Sequence, residues 1–166
     1  ALTFWGQVKL FLLLAAVISI AGKLFSLVTL YFKRIYPAIK HPVYMKMLYL
    51  LFIAYLISMT EVNLTGGGEQ FLLSQAMNPD TQILWITSMM ILHLVFSVLS
   101  FSSGLPGGNF IPTLVTGGLI GQIIALILVR YGFISYEHIS YIMLICMSAF
   151  LVAVIRTPLT AIVLIT

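Results

Sequence analysis

The residues most suited to chemistry in this sequence are glycines and prolines that stand between two apolar runs. Residues 102–118 read SSGLPGGNFIPTLVTGG. Gly107 and Gly108 allow backbone angles and close approaches that a side chain forbids. Pro112 fits the first turn of a helix, where a backbone N–H has no intrahelical acceptor. The pattern therefore predicts a loop that runs into a helix beginning at Phe110.

A helix that starts in such a loop presents free backbone N–H groups and about half a positive charge at its first turn. Because glycines carry no side chain, a small anion can reach these amides. Partial charges bind an anion without preventing its release, whereas a fixed lysine or arginine would hold it too tightly. The predicted amide donors are Asn109, Phe110 and Ile111. The same pattern is also typical of an ordinary helix–loop–helix turn, and local physics alone leaves both interpretations open.

The composition predicts that the elements around this segment are membrane helices. Hydrophobic residues make up 61% of the 166 residues and charged residues only 7%, whereas soluble domains have about 25% charged residues. A soluble globular domain is therefore excluded as a class. The net charge of +4 is typical of basic residues at the ends of spans, so we expect no nucleic-acid partner.

Four of the predicted spans have lengths close to the roughly 20 residues that cross about 30 Å of hydrocarbon, and the first is longer, which predicts a tilted helix. The predicted spans are residues 4–33, 43–60, 83–101, 111–129 and 139–155. The Gly-rich stretch TGGGEQF at 65–71 and a short apolar segment at 71–77 interrupt this series. Broken apolar segments at membrane depth must be buried or line a polar cavity, and they indicate a transport site. A separate GxxxG pair, Gly117 and Gly121, predicts close helix packing.

Three segments of the sequence resemble those of a known family. GGNFIP at 107–112 is similar to the GxFxP motif of the CLC family of chloride channels and chloride/proton exchangers, and its flanks, FSSGLPGGNFIPTLVTGGLIG at 101–121, agree with the family pattern. VAVIRTPLTAIVLI at 152–165 resembles a later family segment with an Ile-Arg-x-Pro-Leu-Thr core. TGGGEQF resembles the Gly-rich turn upstream of the motif. The three segments follow the family's order and span nearly the whole chain.

The resemblance implies an all-α polytopic fold of tilted and broken helices, built from two inverted halves and usually assembled as a homodimer with one anion pathway per subunit. Residues 1–166 would form a partial CLC-type transmembrane domain, namely most of the second half, truncated at both ends. We expect the protein to reside in the cell membrane of a prokaryote. By resemblance, backbone amides at the pore centre would bind chloride, and these belong to Asn109, Phe110 and Ile111. The residues that would shape the loop are Gly107, Gly108 and Pro112.

The resemblance also implies that chloride is the transported ion and that no cofactor, metal or catalytic residue is needed. Several family residues have no candidate in this sequence: the first-half serine, the gating glutamate, the proton-relay acid and the pore tyrosine. Asn109 departs from the aliphatic residue often found at its position, which leaves the preferred anion open. Channel and proton-coupled exchanger both remain consistent with the sequence.

Two other functions compete with anion transport. A secondary transporter of another small solute would also use broken helices, although the predicted spans hold no Asp or Glu that a cation site normally needs. An intramembrane enzyme would require a nucleophile pair such as Ser102 or Ser103 with His93. No third residue is available to orient that pair, and His93 is interpreted as a packing residue. The single cysteine, Cys146, is also interpreted as a packing residue.

Overall fold

A computed structural model describes residues 4–35, 42–64, 67–76, 82–103 and 110–156. Within these ranges the chain forms helices and short turns and contains no β-strand, which confirms the all-α prediction. The helices are α1 (Phe4–Ile35), α2 (Val43–Thr60), α3 (Glu69–Ala76), α4 (Ile83–Ser102), α5 (Phe110–Arg130) and α6 (Ile139–Ile155).

Four of the described helices are long and apolar enough to cross a membrane. Their apolar stretches are Val8–Ile35, Ile83–Ser102, Phe110–Arg130 and Tyr136–Ile155. The apolar stretch of α2, Tyr44–Thr60, is shorter and would extend about 26 Å, slightly less than the roughly 30 Å of hydrocarbon. The helix predicted at 43–60 forms with the predicted bounds, and the other four predicted spans are confirmed as helices long and apolar enough to cross a membrane.

Helix α5 lies at the centre of the described structure. In its apolar window 56% of the residues are buried, compared with 33% or less in each of the other three candidate spans. It packs most extensively on α6 and also contacts α4 and α3. Its position follows from its composition, because three glycines and two threonines among its first twelve residues leave room for close neighbours.

The contact between α5 and α6 depends on glycines. A Cβ atom added at Gly117 would lie 2.9 Å from the carbonyl oxygen of Cys146, and one at Gly121 would lie 2.7 Å from the Cβ of Cys146. Both distances are too short for a real contact, so only glycine permits this approach of the two backbones. The helix-packing prediction for Gly117 and Gly121 is confirmed, and the fully buried Cys146 packs against them as expected.

The short helix α3 lies against α5. A Cβ added at Gly118 would come within 2.8 Å of a methyl group of Leu72, so α3 fits into the space that this glycine leaves. Further along, Nε2 of Gln122 donates a hydrogen bond of 3.0 Å to the carbonyl oxygen of Gln75. Because Gln122 is only 1% exposed, this bond fixes α3 to α5 in a buried setting.

Helix α1 closes the other side of the bundle against α4 and α6. The ring of Phe25 makes edge-to-face contacts with Phe150 of α6, at a centroid distance of 5.7 Å, and with Phe101 of α4, at 6.3 Å. Gly22 lies directly on Ala153 of α6. The edge-to-face geometry of the Phe25 contacts stabilises the fold by about 0.5–1.5 kcal/mol per aromatic pair, in addition to the effect of burying the rings.

The outer faces of the helices are strongly apolar. Large side chains with more than 60% of their surface exposed include Leu12, Leu51 and Leu84. A water-soluble protein rarely shows a continuous apolar surface of this extent, whereas acyl chains solvate it without penalty. The described helices are thus suited to lipid on their outer faces and to protein contacts on their inner faces.

Replacing Gly117 by Val tests the α5–α6 contact. The side chain would collide with the backbone of α6, and such overpacking costs about 1–3 kcal/mol, so the unfolding temperature should fall. Thermal unfolding of the full-length protein in detergent, followed by tryptophan fluorescence, measures the change. On the same helix, the partly exposed Ile127 provides the control Ile127→Val. An unchanged unfolding temperature for Gly117→Val would show that the two backbones are not in close contact.

Candidate anion-binding site

The site predicted from the sequence centres on the start of α5. The helix begins at Phe110 and has Pro112 in its first turn, as the pattern predicted. Helix geometry leaves the amides of Phe110 and Ile111 without intrahelical acceptors, and Pro112 contributes no N–H at all. The amides of Phe110 and Ile111 therefore have no acceptor within α5 itself, and they lie at the positive end of a helix of 21 residues.

The other predicted site residues, Gly107, Gly108 and Asn109, lie outside the described residues, so their roles stay predictions. Among the described residues, Phe110 and Pro112 are half-buried, Ile111 is 45% exposed and Thr113 is fully buried. The described helices therefore enclose the first turn of α5 only in part, and part of the Ile111 side chain is left open.

The Gly-rich turn that precedes α3 forms part of this enclosure. A Cβ added at Gly67 would overlap a methyl group of Ile111, and one added at Gly68 would lie 3.2 Å from a methyl group of Val115. Gly68 also has φ of +77°, a left-handed conformation that glycine adopts without strain. Two segments that the sequence analysis treated separately, TGGGEQF and the motif helix, are thus in direct contact.

His93 of α4 completes this junction. Its side chain is 1% exposed, and its Nε2 lies 3.4 Å from the carbonyl oxygen of Pro112. The sequence favoured a packing role for His93 and did not predict its contact with the motif at Pro112. The available signal was its polarity, because an ionisable residue within a membrane span is a functional candidate by default. Its partner, nineteen residues away on the next helix, could not be identified from spacing.

The three helices α4, α5 and α6 contain few fixed charges. Helices α4 and α6 contain no Asp, Glu, Lys or Arg, and α5 contains only Arg130 in its last turn. At 1.5 Å per residue, Arg130 lies about 30 Å from Phe110. Glu69, the first residue of α3, is the acidic residue nearest in sequence to the junction, and its side chain is exposed. Arg156 directly follows α6, and the dipole of α5 adds positive potential at the start of α5 itself.

Comparison with known protein families shows which family this sequence matches. The family model described as "Voltage gated chloride channel" matches residues 3–166, which include the helices described above and the Gly-Pro motif. The chain belongs to the voltage-gated chloride channel family. A sequence comparison with curated proteins gives no match. Family membership and the four apolar helices make this an integral membrane protein of a family that transports anions.

The serines at the end of α4 do not pair with His93 in this member of the voltage-gated chloride channel family. Ser102 follows His93 by nine residues on the same helix, which separates them by about 14 Å along the axis. Oγ of Ser102 donates to the carbonyl oxygen of Val98 at 2.7 Å, and Oγ of Ser103 donates to that of Ser100 at 2.6 Å. The arrangement of a nucleophile beside a base, which the enzyme hypothesis required, is therefore not formed by these side chains.

A pocket of about 400 Å³ lies elsewhere in this chloride channel family member, between α1, the α5–α6 connection and the start of α6. Its lining includes Leu14, Ser135, His138 and Ile142. Because it adjoins the far end of α5, it is separate from the predicted anion site. Within the described ranges, no three His, Cys, Asp or Glu side chains lie close enough together to hold a metal ion.

Replacing Gly67 by Val tests whether the Gly-rich turn supports the first turn of α5. The added side chain would collide with Ile111 and displace the helix start, so we expect chloride affinity to fall severalfold. Isothermal titration of chloride into the full-length protein in detergent measures this loss. The double variant Gly67→Val/Ile111→Ala removes the colliding methyl groups while keeping the amide, and it should recover much of the affinity. Equal affinities for the single variant and the wild type would contradict the contact.

Proposed function

We propose that the protein transports chloride or a similar small anion across the membrane, and that backbone amides at the start of α5 hold the anion on its path. The amides are those of Asn109, Phe110 and Ile111. The observation that carries this proposal is the start of α5 at Phe110, with a proline in its first turn, inside a chain that matches the family throughout. Gly107, Gly108 and Pro112 would shape the approach of the ion.

Amide donors suit a transport site better than a charged side chain would. A buried lysine or arginine would bind an anion strongly and slow its release, whereas dipoles provide moderate attraction that permits both entry and exit. The absence of charged residues from α4 and α6, and from the first twenty residues of α5, supports this mechanism. It also disfavours a cation transporter, because α4, α5 and α6 offer no carboxylate ligand.

The proposal extends to the whole protein through the family resemblance. We propose that this chain corresponds to most of the second inverted half of the transmembrane domain, that the complete protein is a homodimer, and that it resides in the cell membrane of a prokaryote. The anion path would then be completed by the other half. The exposed part of the Ile111 side chain is consistent with a path that further residues complete.

Transport can be passive, as in a channel, or coupled to protons, as in a chloride/proton antiporter. Both modes use the same amide site, so the described residues support either one. They differ in whether protons cross with chloride and in how flux depends on voltage. A single flux experiment therefore tests the proposed function and separates the two modes.

The experiment uses full-length protein in liposomes loaded with chloride. Chloride efflux is measured with an electrode while an ionophore clamps the voltage, and internal pH is recorded at the same time. We expect chloride efflux, accompanied by a pH change only in an antiporter. The variant Gly108→Val should reduce efflux strongly, because its side chain would crowd the amides to which the ion binds.

The matched control is Leu84→Ala, since Leu84 lies at the start of α4 with 83% of its side chain exposed. This variant should transport chloride at the wild-type rate. Wild-type liposomes that release no more chloride than empty liposomes would overturn the proposed function. Wild-type efflux from Gly108→Val would overturn the assignment of the site.

A further inference from the structure

His93 lies where three segments of the described structure meet. It is in the middle of α4, it is almost completely buried, and it lies beside both the Gly-rich turn and the first turn of α5. On one side its Nε2 is 3.4 Å from the carbonyl oxygen of Pro112. On the other side a Cβ added at Gly68 would lie 2.9 Å from its Cε1 and 3.1 Å from its Nδ1. The imidazole therefore contacts both segments at once.

The contact with Pro112 favours one tautomer of His93. A carbonyl oxygen can only accept a hydrogen bond, so a hydrogen bond here has Nε2 of His93 as its donor. In the neutral ring Nδ1 is then an acceptor, and no described residue provides it with a hydrogen bond. The polar contact of His93 within the described residues is thus directed at the motif helix.

The carbonyl of Pro112 belongs to the same helical turn as the amides of Phe110 and Ile111. It also accepts a hydrogen bond of 2.8 Å from Oγ1 of Thr116, and the Nε2 contact at 3.4 Å is longer than the usual 2.7–3.2 Å. A change in this contact would tilt or rotate the first turn as a unit. The direction of the two amides depends on that tilt.

Electrostatic binding sites lose affinity when their donors are displaced, because the benefit comes from dipoles that are held in place before the ligand arrives. Supporting hydrogen bonds from neighbouring residues hold such donors within about 0.5 Å of the productive geometry. His93 is a described side chain from another helix that makes a polar contact with the first turn of α5. It is therefore placed to supply this support.

We propose that His93 is a positioning residue for the anion site: its imidazole holds the first turn of α5 against the Gly67–Gly68 turn through the Nε2 contact with Pro112. This inference rests on the proposed function, because it assumes that the first turn of α5 binds the anion. If His93 only filled space, any side chain of similar volume would serve equally well. The two roles therefore predict different results for polar and apolar replacements.

Three replacements separate the roles. In His93→Gln the side-chain amide nitrogen can reach the position of Nε2, whereas in His93→Asn it reaches only that of Nδ1. His93→Leu keeps a comparable volume without any donor. We expect chloride affinity, measured by calorimetry on the full-length protein, to fall about fivefold in His93→Leu and His93→Asn, which corresponds to the net contribution of one hydrogen bond. His93→Gln should stay within about twofold of the wild type.

Unfolding temperature, measured without chloride, separates a loss of affinity from a loss of fold. If His93→Leu fails to fold, the comparison of Gln with Asn still decides, because both place an amide in the same cavity. Equal chloride affinities for these two variants would overturn the positioning role while leaving the proposed function intact. A wild-type protein that binds no chloride would overturn the proposed function, and the inference with it.

Discussion

The structure depends on one constraint: in a membrane, every backbone N–H and C=O group needs a partner, and a helix start provides several N–H groups without one. Helix α5 begins at Phe110, and its first turn contains a proline that removes one of these donors. The remaining donors of Phe110 and Ile111 must be satisfied by the protein, by water or by an ion. In the proposed function the transported anion accepts hydrogen bonds from these N–H groups. The unpaired donors at the start of the helix then serve as the binding site.

The packing of α5 explains how such a start is kept in place. Glycines bring α5 close to α6 on one face and to α3 on another. A buried hydrogen bond from the side chain of Gln122 to the carbonyl oxygen of Gln75 holds the end of α3 to α5. His93 and the Gly67–Gly68 turn contact the first turn itself. Because these glycines carry no side chain, neighbouring backbone and side chains lie directly against α5 and restrain it.

Much of this arrangement was predictable from the sequence. The start of α5 at Phe110 follows from glycines before it and a proline within its first turn, and the α5–α6 contact follows from the GxxxG spacing of Gly117 and Gly121. These features are local, because each one depends on residues within a single helix. The all-α membrane class follows from composition, and the family follows from three segments in the right order.

The features that the sequence did not predict are all contacts between distant segments. The approach of Gly68 to His93 and of His93 to Pro112 joins three parts of the chain, and no periodicity within one helix carries that information. The roles of Gly107, Gly108 and Asn109 remain sequence-based predictions, since they lie outside the described residues.

The central claim is that a halide ion lies against uncharged peptide nitrogens at the beginning of α5. A crystal structure of the full-length protein grown in bromide, with the anomalous signal of bromine used to locate the ion, tests it most directly. The account predicts an anomalous peak in hydrogen-bond contact with the amide nitrogens of Phe110 and Ile111. Bromide peaks found only at other positions, with the first turn of α5 facing lipid or protein atoms alone, would contradict it.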